Sequence, residues 1–189
     1  MRASFNSVIA PGPKSFDLDL NEVSITDKRR QAVDFSTGYY DVQQAVIARK
    51  GTKGAAAKSV ADLAPLRLGA QVGTTSYKAI TSQVKPSQQP RAYDTNDLAV
   101  AALKNGQIDA LELDLPTAFY ATAAQVQDGV IVGQLPQSGE QPEQFGAVLD
   151  KGSPLTACVS QAVDALRTDG TLATLQKTYL TQAGAPELS

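Results

Sequence analysis

The stretch DTNDLAVAALKNGQIDALELDLP, residues 94–116, decides the fold. Asp94 and Thr95 can cap a helix, Leu98, Ala101 and Ala102 share one face at three-and-four spacing, and Asn105-Gly106 supplies a left-handed stop. The chain passes at once into the strand-like run QIDALELD, and Pro116 opens the next helix. Working outward, RLGAQV (67–72) reads as a strand, GTTS (73–76) as a turn, the residues from Tyr77 as a helix and PRAYD as another strand. On the other side a helix runs from Phe119 to Gln125 and a strand follows at GVIVGQL. Strands alternating with helices of this length predict an α/β protein with a mostly parallel sheet.

The flanking thirds carry weaker signals. Phe16 to Leu20 alternates apolar and acidic residues and reads as a half-buried strand; a short helix capped near Thr26 follows, with Asp27 in its first turn. DFSTGYY reads as a loop. QAVIARKG (44–51) and FGAVLDKG (145–152) resemble each other, each a short apolar strand ending in a charge and Lys-Gly, and are expected to run side by side between two lobes. Ser153-Pro154 then opens a helix with Leu155, Cys158, Val159, Ala162 and Leu166 on one buried face; a last helix runs from about Leu172 to Thr181, and the tail AGAPELS is expected to fray.

Composition narrows the chemistry. Seventeen Lys and Arg against 19 Asp and Glu leave no basic face for nucleic acid or an anionic membrane. Zero His and a single Cys exclude His-dependent triads, imidazole zinc sites, Cys clusters and an intrachain disulfide. No cofactor or metal is implied, and no glycine-rich nucleotide string occurs. No apolar run approaches the roughly 18 residues of a membrane span, and residues 1–15 lack the order of an export signal.

Four strings resemble the amino-acid-binding branch of the type II periplasmic solute-binding proteins of ABC importers, and together they cover nearly all of the chain. They are VSITDKRRQAVDFSTGYY (23–40), RLGAQVGTTS (67–76), AALKNGQIDALELD (101–114), and FGAVLDKGSPL with ALRTDGTLATLQKTYL between 145 and 180. The resemblance implies a two-lobe periplasmic-binding-protein-like α/β fold, with residues 1–45 and 147–189 in lobe one and 46–146 in lobe two. It implies a protein that holds a free amino acid for delivery to the membrane subunits of an ABC importer, outside the cytoplasm, with the parent protein membrane-associated.

A free amino acid carries a carboxylate and an ammonium on one carbon, so its binder needs a planar cation, an anion and neutral donors. Read alone, Arg29 beside Arg30 is a solvated helix charge. With the Ser-Ile-Thr-x-x-Arg resemblance it becomes the guanidinium that takes the ligand carboxylate. The same resemblance makes Ser24 the bridging hydroxyl and gives the carbonyl of Glu22 to the ammonium, the Glu22 side chain pointing to solvent or selecting a basic ligand. Thr75 and Thr74 stand where a strand gives way to a helix, a place that suits an anion; read alone they are an ordinary cap. Asp114 matches the acid that pairs with the α-ammonium, and read alone it caps the helix at Pro116. Glu112 lies two residues earlier, where the family has an apolar residue: if it reaches the ligand it favours a basic one, and otherwise it pairs with a surface Lys. Tyr39 and Tyr40 read as packing residues.

The family pattern opens with a strand, an aromatic loop, a helix and a second strand before the position of Phe5, and these are missing here. The first lobe is therefore expected to be incomplete, with an apolar edge that invites self-association. Two rival readings stand beside the receptor: an enzyme on the same scaffold, like the cyclohexadienyl dehydratases with Glu112 as general acid, and a ligand-incompetent, self-associating fragment.

Overall fold

The computed structural model describes residues 3–180 and 185–189. In chain order the strands are β1 (Val33–Phe35), β2 (Tyr40–Val42), β3 (Gln44–Arg49), β4 (Leu68–Gln71), β5 (Arg91–Tyr93), β6 (Ala110–Asp114), β7 (Gly129–Gln134), β8 (Glu143–Phe145) and β9 (Val148–Asp150). The α-helices are α1 (Phe5–Ile9), α2 (Asp27–Arg30), α3 (Val60–Leu63), α4 (Thr75–Ala79), α5 (Asn96–Lys104), α6 (Leu115–Tyr120), α7 (Thr156–Thr168) and α8 (Thr171–Tyr179). The chain divides into two units: Met1–Val42 with Gln141–Ala183, and Gln43–Glu140 with Gly184–Ser189.

The second unit is built on a five-stranded sheet of order β5-β4-β6-β3-β7. β4 is parallel to β5 and β6, while β3 runs antiparallel to β6 and β7, so the sheet is mixed. Both faces are covered. Val46, Ala48, Leu68, Ala70 and Ala110 face one apolar layer, and Ala45, Ile47, Leu111 and Leu113 the other. This double coverage explains why β3 reads as an unbroken apolar run and not as an alternation. Thr95 caps α5 by accepting from the Leu98 N–H at 3.2 Å, and Gly106 turns the chain at φ 68°. The buried face of α5 is Ala99, Val100, Ala102 and Leu103, and Leu98 is 52 % exposed. The helix was legible but its phase was not, because LAVAAL is apolar throughout.

At the amino ends of β4 and β6, Asp109 ties the unit together. Its carboxylate accepts from Arg67 Nη2 at 2.7 Å and lies 3.0 Å from Lys53 Nζ. The backbone N–H of Arg67 donates to it at 2.8 Å. Gly54 is required here, since a Cβ would stand 2.1 Å from the Asp109 carbonyl oxygen.

The first unit contains two short antiparallel ladders, β1 with β9 and β2 with β8. Its core is Val8, Val23, Val33, Phe35 and Val148. The expected pairing of 44–49 with 145–149 is replaced: β3 lies in the five-stranded sheet, β9 lies on β1, and β8 lies on β2 in the register Tyr40↔Phe145. The expected strand at 16–20 reduces to one bridge, Asp19 to Val148, with Leu20 62 % exposed. The expected apolar face of α7 is also overturned. Cys158 is exposed, as are Leu155 and Leu166, and of this helix only Val163 is buried. The helix is instead held through polar groups: Ser160 Oγ accepts from the Thr37 N–H at 3.2 Å, and Arg167 donates to the Gly38 carbonyl.

The described part of the tail does not fray. Gln134 and Pro186 are joined N–H to carbonyl at 2.7 Å, the Leu188 N–H donates to Gln134 O at 2.8 Å, and Leu188 is 2 % exposed in the second unit's core. Among the described residues no helix is long and apolar enough to cross a membrane.

Two outcomes follow. Leu188→Ala should destabilise the second unit by about 3 kcal/mol in urea unfolding, the range for a buried leucine that leaves a cavity. Burial pushes the Asp109 carboxyl up, but the hydrogen bonds from the Arg67 side chain and backbone and from Lys53 outweigh it and hold the group well below the usual carboxylate range. A folded pKa below the unfolded value of about 3.9 gives stability that is present above that pH and lost as pH falls through the acid range beneath it. Unfolding measured against pH should show this acid-side loss, and Asp109→Asn should flatten it.

Candidate functional site

Each unit presents part of the expected set. In the first, the helix α2 is capped by Thr26, whose side chain accepts from the Arg29 N–H at 3.2 Å. The cap fixes the helix start and so the direction in which Arg29 leaves it. Arg29 is 8 % exposed, donates from Nη1 to the Ser24 carbonyl at 2.6 Å and stands over the Phe5 ring at 5.2 Å. Burial lowers the guanidinium pKa, and the negative charge of Glu143 acts against that shift. The guanidinium stays protonated at any ordinary pH.

Ser24 is 4 % exposed and is bridged to Phe145. Glu22 is exposed and takes a left-handed φ of 55°, with its N–H donating to the Tyr39 hydroxyl at 3.3 Å. Such a backbone state is strained for a residue with a Cβ. Tyr39 and Tyr40 both pack on Phe145, the latter stacked at 5.7 Å between centroids.

In the second unit the polar set gathers where β4 and β6 end. Gly73 turns the chain at φ 77°, and Thr74 caps α4 by accepting from the Tyr77 N–H at 3.1 Å while its hydroxyl donates to the Gln71 carbonyl at 2.7 Å. Thr75 accepts from Gln44 Nε2 at 3.3 Å. Asp114, half-buried, caps α6 by accepting from the Thr117 N–H at 3.0 Å. Gln44 stands opposite Asp114 in the β3–β6 register, so Asp114, Gln44 and Thr75 form one connected group.

Glu112 lies two residues before Asp114, on the same face of β6, and is 2 % exposed. Two polar residues escaped the sequence reading. Gln44 is 6 % exposed at the head of a run otherwise apolar, a signal that could have been noticed. Glu143 lies in what reads as a polar loop, and nothing local marks it. Among the described residues no group of three acidic or Cys side chains gathers to hold a metal.

The first unit thus buries an arginine on a capped helix, and the second sets an acidic strand end beside a helix-opening turn. The chain belongs to the bacterial extracellular solute-binding proteins, family 3, whose profile matches residues 4–182. It is 31 % identical over 163 residues to ABC transporter arginine-binding protein 1 of Escherichia coli (strain K12), a match over 84 % of this chain and 63 % of that protein. The chain therefore spans about 63 % of the length of that relative. An ancestral arginine-binding protein bound to arginine is 28 % identical with a TM-score of 0.68, over 87 % of this chain and 71 % of that one. An amino acid ABC transporter substrate-binding protein from Streptococcus pneumoniae, bound to L-arginine, shares the fold with a TM-score of 0.78 at 23 % identity, over 95 % of this chain and 74 % of that one.

The two threonines of the turn separate by experiment. Thr74→Ala should lower thermal stability by about 1 kcal/mol through loss of the α4 cap. Thr75→Ala leaves that cap in place and removes instead the acceptor of the Gln44 amide.

Proposed function

We propose that this chain binds a free amino acid, with its carboxylate on Arg29 and the Gly73–Thr75 turn, and its α-ammonium on Asp114 with the Ser24 hydroxyl and the Glu22 carbonyl. The closed form would be presented, outside the cytoplasmic membrane, to the membrane subunits of an ABC importer. The observation that carries this reading is the burial of Arg29 on a capped helix turn. Taking a guanidinium out of water is expensive, and a planar fork is the group that recognises a carboxylate at two points. Its natural complement for the ammonium is Asp114, whose acid stands at a strand's carboxyl end, where open α/β sheets hold ligands. The names of the family and of the relatives above are names of binding proteins, and the activity proposed is binding without turnover. The ligand class is cationic amino acids, a reading supported by the arginine in the names of the relatives and by the acidic pair Glu112 and Asp114 on one strand face.

Calorimetry with arginine, lysine, histidine, glutamine and cystine tests it. Heat with a basic amino acid, weakened about 30-fold by Arg29→Lys, is the expected result, because a point charge replaces a two-point fork. An absence of heat with every ligand sinks the reading.

A second proposal concerns association. Leu155, Leu166, Leu175 and Tyr179 of the first unit, in or beside α7 and α8, are 42, 41, 48 and 74 % exposed. Copies should associate through α7 and α8. Sedimentation over a range of concentrations should show a mass increase that Leu175→Asp with Tyr179→Asp abolishes.

A further inference from the structure

The strand β8 has neighbours on both sides. On one it pairs with β2, Val42 opposite Glu143. On the other runs Val23–Ile25, with Ser24 bridged to Phe145, the Ile25 N–H on Gln144 O at 2.8 Å and the Gly146 N–H on Val23 O at 3.1 Å. Following that antiparallel register two residues further puts Thr26 opposite Glu143. Thr26 is the cap of α2, and Arg29 is the third residue of that helix. The register thus sets Glu143 beside the helix turn from which the Arg29 guanidinium springs.

The charges around Glu143 sort into two groups. Arg29 is buried and feels the Glu143 charge. Arg30 and Arg167 line with Glu143 an open hollow of about 460 Å³. Arg30 also lies over the Phe35 ring at 5.8 Å, and Arg167 also holds Asp164 at 2.7 Å and donates to the Gly38 carbonyl. Glu143 therefore stands between a buried cation and a hollow that opens to water.

We propose that Glu143 is the resident counter-ion of Arg29, a positioning residue that holds the guanidinium in the empty chain and yields when the carboxylate of a ligand arrives. The second half rests on the amino-acid reading above; the first does not. Two carboxylates beside one guanidinium repel each other, and a partly buried site screens this weakly. The hollow offers Glu143 a wet space into which to turn. Its charge thus works against ligand affinity while stabilising the empty state.

Unfolding in urea of the wild type, Arg29→Met, Glu143→Gln and the double variant tests the first half without any ligand. The double variant should be at least about fivefold more stable, in its unfolding constant, than the product of the single effects, since Arg29→Met strands a carboxylate that Glu143→Gln then removes. Independent single effects overturn the proposal. Should Arg29→Met fail to fold, Arg29→Gln takes its place in the cycle. Calorimetry with arginine tests the second half: Glu143→Gln should bind about three- to tenfold more tightly than the wild type, with Glu143→Asp close to the wild type. A merely structural glutamate would lower affinity or leave it alone, and either result overturns the displacement. If the wild type itself takes up no amino acid, the receptor reading falls and the unfolding cycle alone decides the counter-ion.

Discussion

Burying the guanidinium of Arg29 is the constraint to which the first unit answers. An arginine at 8 % exposure needs carbonyls, a ring face and negative charge close by. The unit supplies them from three places far apart in sequence: the Ser24 carbonyl, the Phe5 ring and the Glu143 charge. Bringing these together explains why Val23–Ile25 runs beside β8 and why α1 folds back to the same spot. Unit one spends little on regular sheet, with only paired three-residue strands, and much on this one cation.

The second unit solves a different problem. Its sheet is largely apolar on both faces, and apart from the buried Glu112 within β6 its polar set gathers where strands end and helices begin. That is where Gln44, Thr74, Thr75 and Asp114 stand, each engaged by a cap, a turn or a register neighbour. Thr74 and Asp114 are caps and, under the proposed function, ligand groups as well. A cap holds its side chain in one rotamer, and a group held in one rotamer loses less entropy on binding. The cluster at Asp109 lies at the opposite end of the same strands.

What was legible in the sequence was local. Thr26, Thr95 and Pro116 are start signals whose chemistry acts within one turn of chain, and each opens the helix it was read to open. What depends on distant partners was not legible. The phase of α5 could not be read because an apolar run offers several equivalent faces. The face of α7 was misread because Ser160 and Arg167 anchor it by hydrogen bonds that no periodicity records. Strands of three residues, such as β2 and β8, are shorter than the alternation needed to detect them. Leu188 is one apolar residue in a polar tail, and only the presence of β7 beside it gives it a place. The polar residues behave likewise: Gln44 and Glu143 acquire meaning from the register that sets them against Asp114 and Thr26.

The absence of histidine from the sequence bears on all of this. The groups gathered in the two units are a guanidinium, carboxylates, hydroxyls, an amide and backbone N–H groups. Histidine is the side chain whose ordinary pKa falls near neutrality, and none is present among these groups. A zwitterion holds its own two charges there, since its carboxylate titrates far below neutrality and its ammonium well above. Under the proposed function a cation meets the ligand carboxylate and a carboxylate meets its ammonium. Such recognition can be tuned by placing further fixed charges nearby, which is the role proposed for Glu143.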